Sequence, residues 1–279
     1  MPLHGNNWNP NYVTRAVSVY ETATKTVRVD TDQGEGFLKA LGNPEGPHSL
    51  ACELVGSLAA DWLGLKTLDF AIISIEDQQE VVISGRNYAD VGPAFISRAE
   101  DTGFTWGGDP RAVAVISNLE HISSLVVLDT WIRNCDRCSP DKTRRNLNNV
   151  FFIQRTEPTR RLELIAMDFT HAFTCGQTID RRLGNLDTIR DESVFGLFPE
   201  FRPHLSEAQV QIDTQRLSTF TLADAQGMIA NVPVQWQVDG RAKGYWAKFL
   251  VDRAHFVSEH IRDILWPVSG EFEYQGESI

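Results

Sequence analysis

The most constraining stretch of this chain runs from Leu119 to Asn134, where Ile122, Leu125, Val126, Val127, Leu128, Trp131 and Ile132 leave a helix with no clear polar face. A helix that is apolar nearly all round belongs inside its domain, so the rest of the chain must wrap it. The run stops at Asn134-Cys135-Asp136-Arg137. A carboxylate is thereby delivered to the root of a loop, where functional groups tend to sit on rigid scaffolds.

After a long polar loop, Val150-Phe151-Phe152-Ile153 and Leu162-Glu163-Leu164-Ile165-Ala166-Met167 read as two strands of a hairpin around Glu157-Pro158-Thr159, with Asp168 at the exit. Antiparallel strands bring the chain back to its start, so Asn149 and Asp168 should share one end of the hairpin and one metal ion. A carboxylate closing an apolar strand needs a cation or donors.

Upstream the pattern is β-rich. Strands are expected at Val13 to Tyr20, Lys25 to Asp30, Phe37 to Leu41, Phe70 to Ile75, Glu80 to Ser84 and Ala94 to Ser97, each bounded by turn residues. One helix interrupts them, capped by Ser49, running to Leu63 and closed by Gly64. Its stripe of Leu50, Leu54, Val55, Leu58 and Trp62 leaves Glu53 on the flank, at the edge of a cleft. Pro110 starts a helix leading into the buried one, and further helices are expected near 206 to 217, 222 to 230 and 241 to 265. The fold class is therefore α+β, with a β-rich N-terminal lobe (1–98) and a mainly helical C-terminal lobe (99–279).

Phosphoryl transfer needs a cation on the nucleotide phosphates, a carboxylate for the attacking hydroxyl and oxygen ligands for magnesium. Lys39, Glu53, Asp136, Asn149 and Asp168 offer these in workable order.

The segments Phe37-Leu38-Lys39-Ala40, Leu63-Gly64-Leu65 with its helix, Asp129 to Arg137, Asn149-Val150-Phe151-Phe152 and Ile165 to Phe173 together resemble the HipA-like kinases. The Trp131-Ile132-Arg133-Asn134-Cys135-Asp136-Arg137 run is also similar to type II phosphatidylinositol 4-kinases. The resemblance implies a two-lobed protein-kinase-like fold that binds ATP and Mg2+. It implies that Lys39 contacts the α/β-phosphates, that Glu53 pairs with Lys39, and that Asp136 is the catalytic carboxylate, with Asn149 and Asp168 as metal ligands. Phe95, Ile96 and Ser97 would lie on the hinge strand that bonds adenine through its backbone.

This chain departs from those families in two places. Cys138 to Asn148 intervene between Asp136 and Asn149, which leaves Asn146 and Asn148 as further candidates, and Gly42-Asn43-Pro44-Glu45-Gly46 is not a repeated-glycine cradle.

The implied activity is ATP-dependent transfer to a protein Ser or Thr hydroxyl. The alternatives are a kinase of lipids or other small molecules and a nucleotide-binding pseudokinase-like module. A formal charge of −11 argues against broad nucleic-acid binding. The lack of a signal pattern at Met1 to Pro10 and of a long apolar run leads to the expectation of a cytoplasmic protein without membrane residence. Cys135-x-x-Cys138, a single pair without nearby histidines, is weak evidence for zinc. Lys142, Arg144 and Arg145 form a basic cluster, read first as a solvated loop and second as a docking surface for an acidic or phosphorylated partner. His171 receives no role, and the sequence does not name an inhibitory partner.

Overall fold

A computed structural model of the chain describes residues 8–76, 81–84, 87–155 and 161–267. Its N-terminal part consists of β1 (Val13–Val19), β2 (Val27–Thr31), β3 (Gly34–Lys39), α1 (Pro47–Leu63), β4 (Phe70–Ile75), β5 (Val82–Ser84), β6 (Asn87–Tyr88) and β7 (Gly92–Arg98). There follow β8 (Gly103–Thr105), α2 (Pro110–Val113), α3 (His121–Ile132), β9 (Phe151–Arg155) and β10 (Arg161–Ile165). The chain ends in α4 (Leu186–Ile189), α5 (Glu207–Leu217), α6 (Leu222–Ala230) and α7 (Gly240–Leu265). An antiparallel five-stranded sheet, ordered β1-β2-β3-β7-β4, thus precedes a largely helical half that carries a three-stranded sheet, β10-β9-β8.

Helix α1 sits between the two halves. It packs on β7 on one side and on α3, α5 and α6 on the other, so every residue from Ser49 to Ala60 is buried. The flank position expected for Glu53 is therefore a buried one. The cap also differs from expectation: Gly46, at φ 76°, precedes Pro47 at the start of the helix, and Ser49 lies within the first turn, where its hydroxyl donates to the Gly46 carbonyl at 2.6 Å. Proline favours this position because its missing N–H would be unpaired there anyway. Gly64 ends the helix in the left-handed region at φ 91°, as its sequence position predicts.

Helix α3 is buried along its length from Ile122 to Ile132. The helix expected to lead into it from Pro110 breaks instead: α2 is four residues long, and Ile116 then bridges to Leu162 while the Ser117 amide donates to the Leu162 carbonyl at 2.7 Å. Pairing with the hairpin overrides the local helical preference there. Helices α5, α6 and α7 fall where the apolar spacing puts them, and each begins at a side-chain cap, from Ser206, Thr221 and Asp239 respectively. One apolar cluster joins α1, α3 and the C-terminal helices, while a second fills the opposite face of the five-stranded sheet. Glu80 and the turn around Glu157-Pro158-Thr159 lie outside the described residues.

Candidate active site

Lys39 ends β3 on the sheet face turned toward α1. Its Nζ lies 2.8 Å from Glu53 Oε2 and 3.0 Å from Asp168 Oδ1, so one ammonium joins the sheet, the helix and the exit of the β9–β10 hairpin. Burial opposes the charge on Lys39, but Asp168 and Glu53 outweigh it and raise its pKa above the ordinary value. Glu53 is raised by burial despite Lys39. Asp168 is lowered, because Lys39 and the Thr170 hydroxyl outweigh the cost of burial. Removing one partner would strand a buried charge, which makes the three groups a single unit.

Two backbone features aim Asp168. The residue adopts φ 60°, a left-handed conformation uncommon for a side chain of this kind, and the next amide, that of Phe169, donates to Glu53 Oε2 at 3.0 Å. Gly56 of α1 lies so close to Phe169 that a Cβ there would meet the Phe169 Cβ at 2.3 Å. Strand β10 itself stops at Ile165, and Ala166 pairs with Thr67, so Asp168 stands three residues past the strand rather than at its end.

Asp136 follows the left-handed cap of α3, Arg133 at φ 50°. Its Oδ2 accepts from Asn149 Nδ2 at 2.9 Å and Asn146 Nδ2 at 3.2 Å. The His171 imidazole, with Nδ1 3.6 Å away, and these two amides hold the Asp136 carboxyl down at about 2 against the opposing effect of burial. It is ionised at neutral pH and able to receive a hydrogen bond from a hydroxyl. His171 Nε2 in turn lies 3.2 Å from Glu45 Oε2, and its pKa is raised, chiefly by Asp136.

Arg137, entirely buried, was not anticipated as part of the site. Its Nε donates to Asp129 Oδ2 at 2.7 Å, one guanidinium nitrogen donates to the Asn149 carbonyl and the other to the Met167 carbonyl at 2.8 Å. A single side chain thus ties the end of α3 to the residues that present Asn149 and Asp168. Asn134, donating to Asp129 Oδ1 at 3.0 Å, completes the support.

The segment 138–148 closes on itself. Cys138 and Arg145 form an antiparallel bridge, the Ser139 amide donates to the Arg144 carbonyl at 2.9 Å, and the Asn146 amide donates to the Arg137 carbonyl at 2.9 Å. The chain therefore returns to Asp136 after the excursion. Of the three asparagines, Asn149 is buried and Asn146 partly so, both bonded to Asp136, whereas Asn148 is exposed on the cleft wall. Cys135 and Cys138 are free thiols, and among the described residues no cluster of three or more His, Cys, Asp or Glu forms a metal cage. The cleft offers instead Asp168 Oδ2 and Asn149 Oδ1, two oxygens without a hydrogen-bonded partner among the described residues. That donor set fits magnesium, which binds through one or two protein oxygens plus phosphates and water.

Between the sheet and these residues lies a cavity of about 400 Å³. Phe37, Phe70, Phe95, Phe104 and Phe151 give it apolar walls, and Lys39, Glu53, Asn149 and Asp168 its polar end. Phe95 and Ser97 face the cavity, but Ile96 points to the other side of the sheet, into the second core cluster. Strand β7 is also flanked by β3 and β4, so its backbone groups at 95–97 are committed to its neighbours rather than available to a base. What Phe95 and Ser97 can contribute is side-chain surface. Tyr20, Thr22 and Thr26, from the turn between β1 and β2, also reach the cavity, while Gly42 to Gly46 does not line it. The only sequence signal for this is the polar Thr22-Ala23-Thr24-Lys25-Thr26 turn before β2, of which Thr22 and Thr26 reach the cavity.

A family model described as HipA-like kinase matches residues 28–266. A solved structure of a Helicobacter pylori proinflammatory kinase, CtkA, is similar over 91% of this chain and 98% of that one, with 10% identity and a TM-score of 0.55. No curated protein matches the chain.

Proposed function

The chain belongs to the HipA-like kinase family, with a two-lobed protein-kinase-like fold, and we propose that it transfers the γ-phosphoryl group of ATP to a Ser or Thr hydroxyl on a protein. The observation that carries this reading is Lys39 held between Glu53 and Asp168, with the ionised Asp136 standing on the amides of Asn146 and Asn149. We read residues 1–98 as the nucleotide lobe and 99–279 as the catalytic lobe.

The aromatic cavity takes the base, which suits a flat apolar ring between Phe walls. Lys39 turns its ammonium to the phosphates, and Glu53 keeps it in place. Asn149 and Asp168 would hold magnesium, which supplies charge neutralisation to the phosphate oxygens. Asp136 orients the acceptor hydroxyl and takes its proton as the oxygen attacks. Arg137 keeps Asn149 and Met167 in register, so the metal-binding and acceptor sides stay at a fixed separation.

Incubation with γ-labelled ATP and Mg2+, alone and with Ser/Thr-containing protein acceptors, tests this. Labelling on Ser or Thr is expected, and Asp136→Ala and Asp168→Ala should each abolish it. Labelling that survives both substitutions refutes the assignment, and ATP binding without any transfer favours a pseudokinase.

A further inference from the structure

Arg144 and Arg145 are neighbours in sequence with opposite circumstances. Arg145 donates to Glu200 Oε1 and Oε2 at 2.6 and 2.7 Å and lies over the Phe198 ring at 5.9 Å, which anchors the 138–148 segment to the helical half. Arg144 points the other way, as adjacent side chains in an extended segment do. Its amide donates to Ser139 Oγ at 3.0 Å and its carbonyl accepts from the Ser139 amide, so the backbone is held at both ends. Yet its guanidinium donates no hydrogen bond among the described residues and stands 4.0 Å from Asp136 Oδ1, the oxygen that Asn146 and Asn149 leave open.

Lys39 is already shared by Glu53 and Asp168. The space between Asp136 and Asp168 therefore has carboxylates on two sides, and beyond the magnesium that Asn149 and Asp168 would hold, a phosphoryl group passing toward Asp136 is stabilised by a cation on the acceptor side. A planar guanidinium fork matches phosphoryl oxygens.

We propose that Arg144 is a further catalytic residue, whose guanidinium binds the phosphoryl group in transit between ATP and the acceptor hydroxyl at Asp136. The inference rests on the placement of Asp136 and Asp168 proposed above. In the step, the bond from the γ-phosphorus to the bridging oxygen breaks with its electrons leaving on ADP. The acceptor oxygen forms the new bond, its proton passes to Asp136, and Arg144 stays protonated throughout.

The test uses the full chain in single-turnover autophosphorylation with MgATP, together with calorimetric titration by MgADP with and without fluoroaluminate, a mimic of the transferring group. Arg144→Ala should lower the rate on the order of 100-fold, the usual loss for one donor to developing charge. MgADP affinity and melting temperature should stay as in the parent, and the tightening produced by fluoroaluminate should disappear. Arg144→Lys should recover part of both. Lys142→Gly removes a charge from the same segment at φ 60°, where glycine is at ease, and should change nothing. A full rate or full tightening in Arg144→Ala overturns the proposal, as does a loss confined to MgADP affinity. Undiminished turnover in Asp136→Ala and Asp168→Ala would instead overturn the reading beneath it.

Discussion

Gly56→Ala sets two physical effects against each other in one methyl group. Within a helix, alanine is favoured over glycine by about 1 kcal/mol. At this position, however, the new Cβ would stand 2.3 Å from the Phe169 Cβ and 2.6 Å from its Cγ, and real Cβ contacts are not that short. Phe169 is fully buried, so it has no open space to enter, and forced overpacking of this kind costs roughly 1–3 kcal/mol. The net is a loss of about 0–2 kcal/mol, or a melting temperature lower by up to ~8 °C at ~2–4 °C per kcal/mol for a chain of this size. The larger effect should be on turnover. Phe169 follows Asp168 and donates its amide to Glu53, so pushing the ring away pulls on both carboxylates that hold Lys39. A displacement of about 1 Å in such a site costs on the order of 100-fold in rate. Gly227→Ala is the control: a Cβ there meets nothing within 4 Å, so it should gain about 1 kcal/mol and keep its activity. Thermal melting and single-turnover phosphorylation of both variants decide the matter. A Gly56→Ala protein more stable than its parent and fully active would show that this contact does not set the position of Asp168.

Three other outcomes follow from the same packing. Asp213 is buried and its carboxyl is pushed up to about 6 by desolvation, against the hydrogen bonds from Ser124 and Gln209. Its folded pKa exceeds the unfolded value, so this group costs no stability below pH ~4 and costs about 3 kcal/mol once pH passes ~6. Asp213→Asn should remove that slope and stabilise the protein at pH 7.5, as read by urea unfolding at pH 4 and 7.5; an unchanged slope would contradict it. Arg137→Met should cost about 3–5 kcal/mol by leaving Asp129 charged and unpaired in the core, and Asp129→Asn in the same chain should restore part of it. Exposed Cys175 is held down at about 7 by its hydrogen bond with Cys135, whose own pKa is raised. Iodoacetamide should therefore label Cys175 first, with a rate rising through pH 7, and peptide mapping that finds Cys135 labelled first would refute this.

The parts of this protein legible in its sequence are those whose cause is local. An apolar run with no polar face announces α3, and helical patterning announces α5, α6 and α7. The spatial grouping of Asn149 and Asp168 is legible because a hairpin returns the chain to its start; together with Lys39 and Glu53 they line one cavity, and Asp136 stands beside it through its bond with Asn149. What stayed hidden depends on distant partners. Nothing near Pro110 says that Leu162 will break its helix, and nothing near Arg145 names Glu200 as the anchor that turns the insertion back to Asp136. The orientation of Ile96 away from the cavity follows from which face of β7 meets α1, a tertiary fact. Arg137 is the sharpest case. In the sequence it has no role beyond its place in the Asn134-Cys135-Asp136-Arg137 run, yet it is wholly buried because Asp129 and two backbone carbonyls 12 and 30 residues away await it. A neutral side chain in that position would release the Asn149 and Met167 carbonyls and so loosen Asn149 and Asp168 together. The support beneath the site is therefore a stricter requirement on this sequence than the exposed loop beside it, where Arg144 has room to vary in all but its reach toward Asp136.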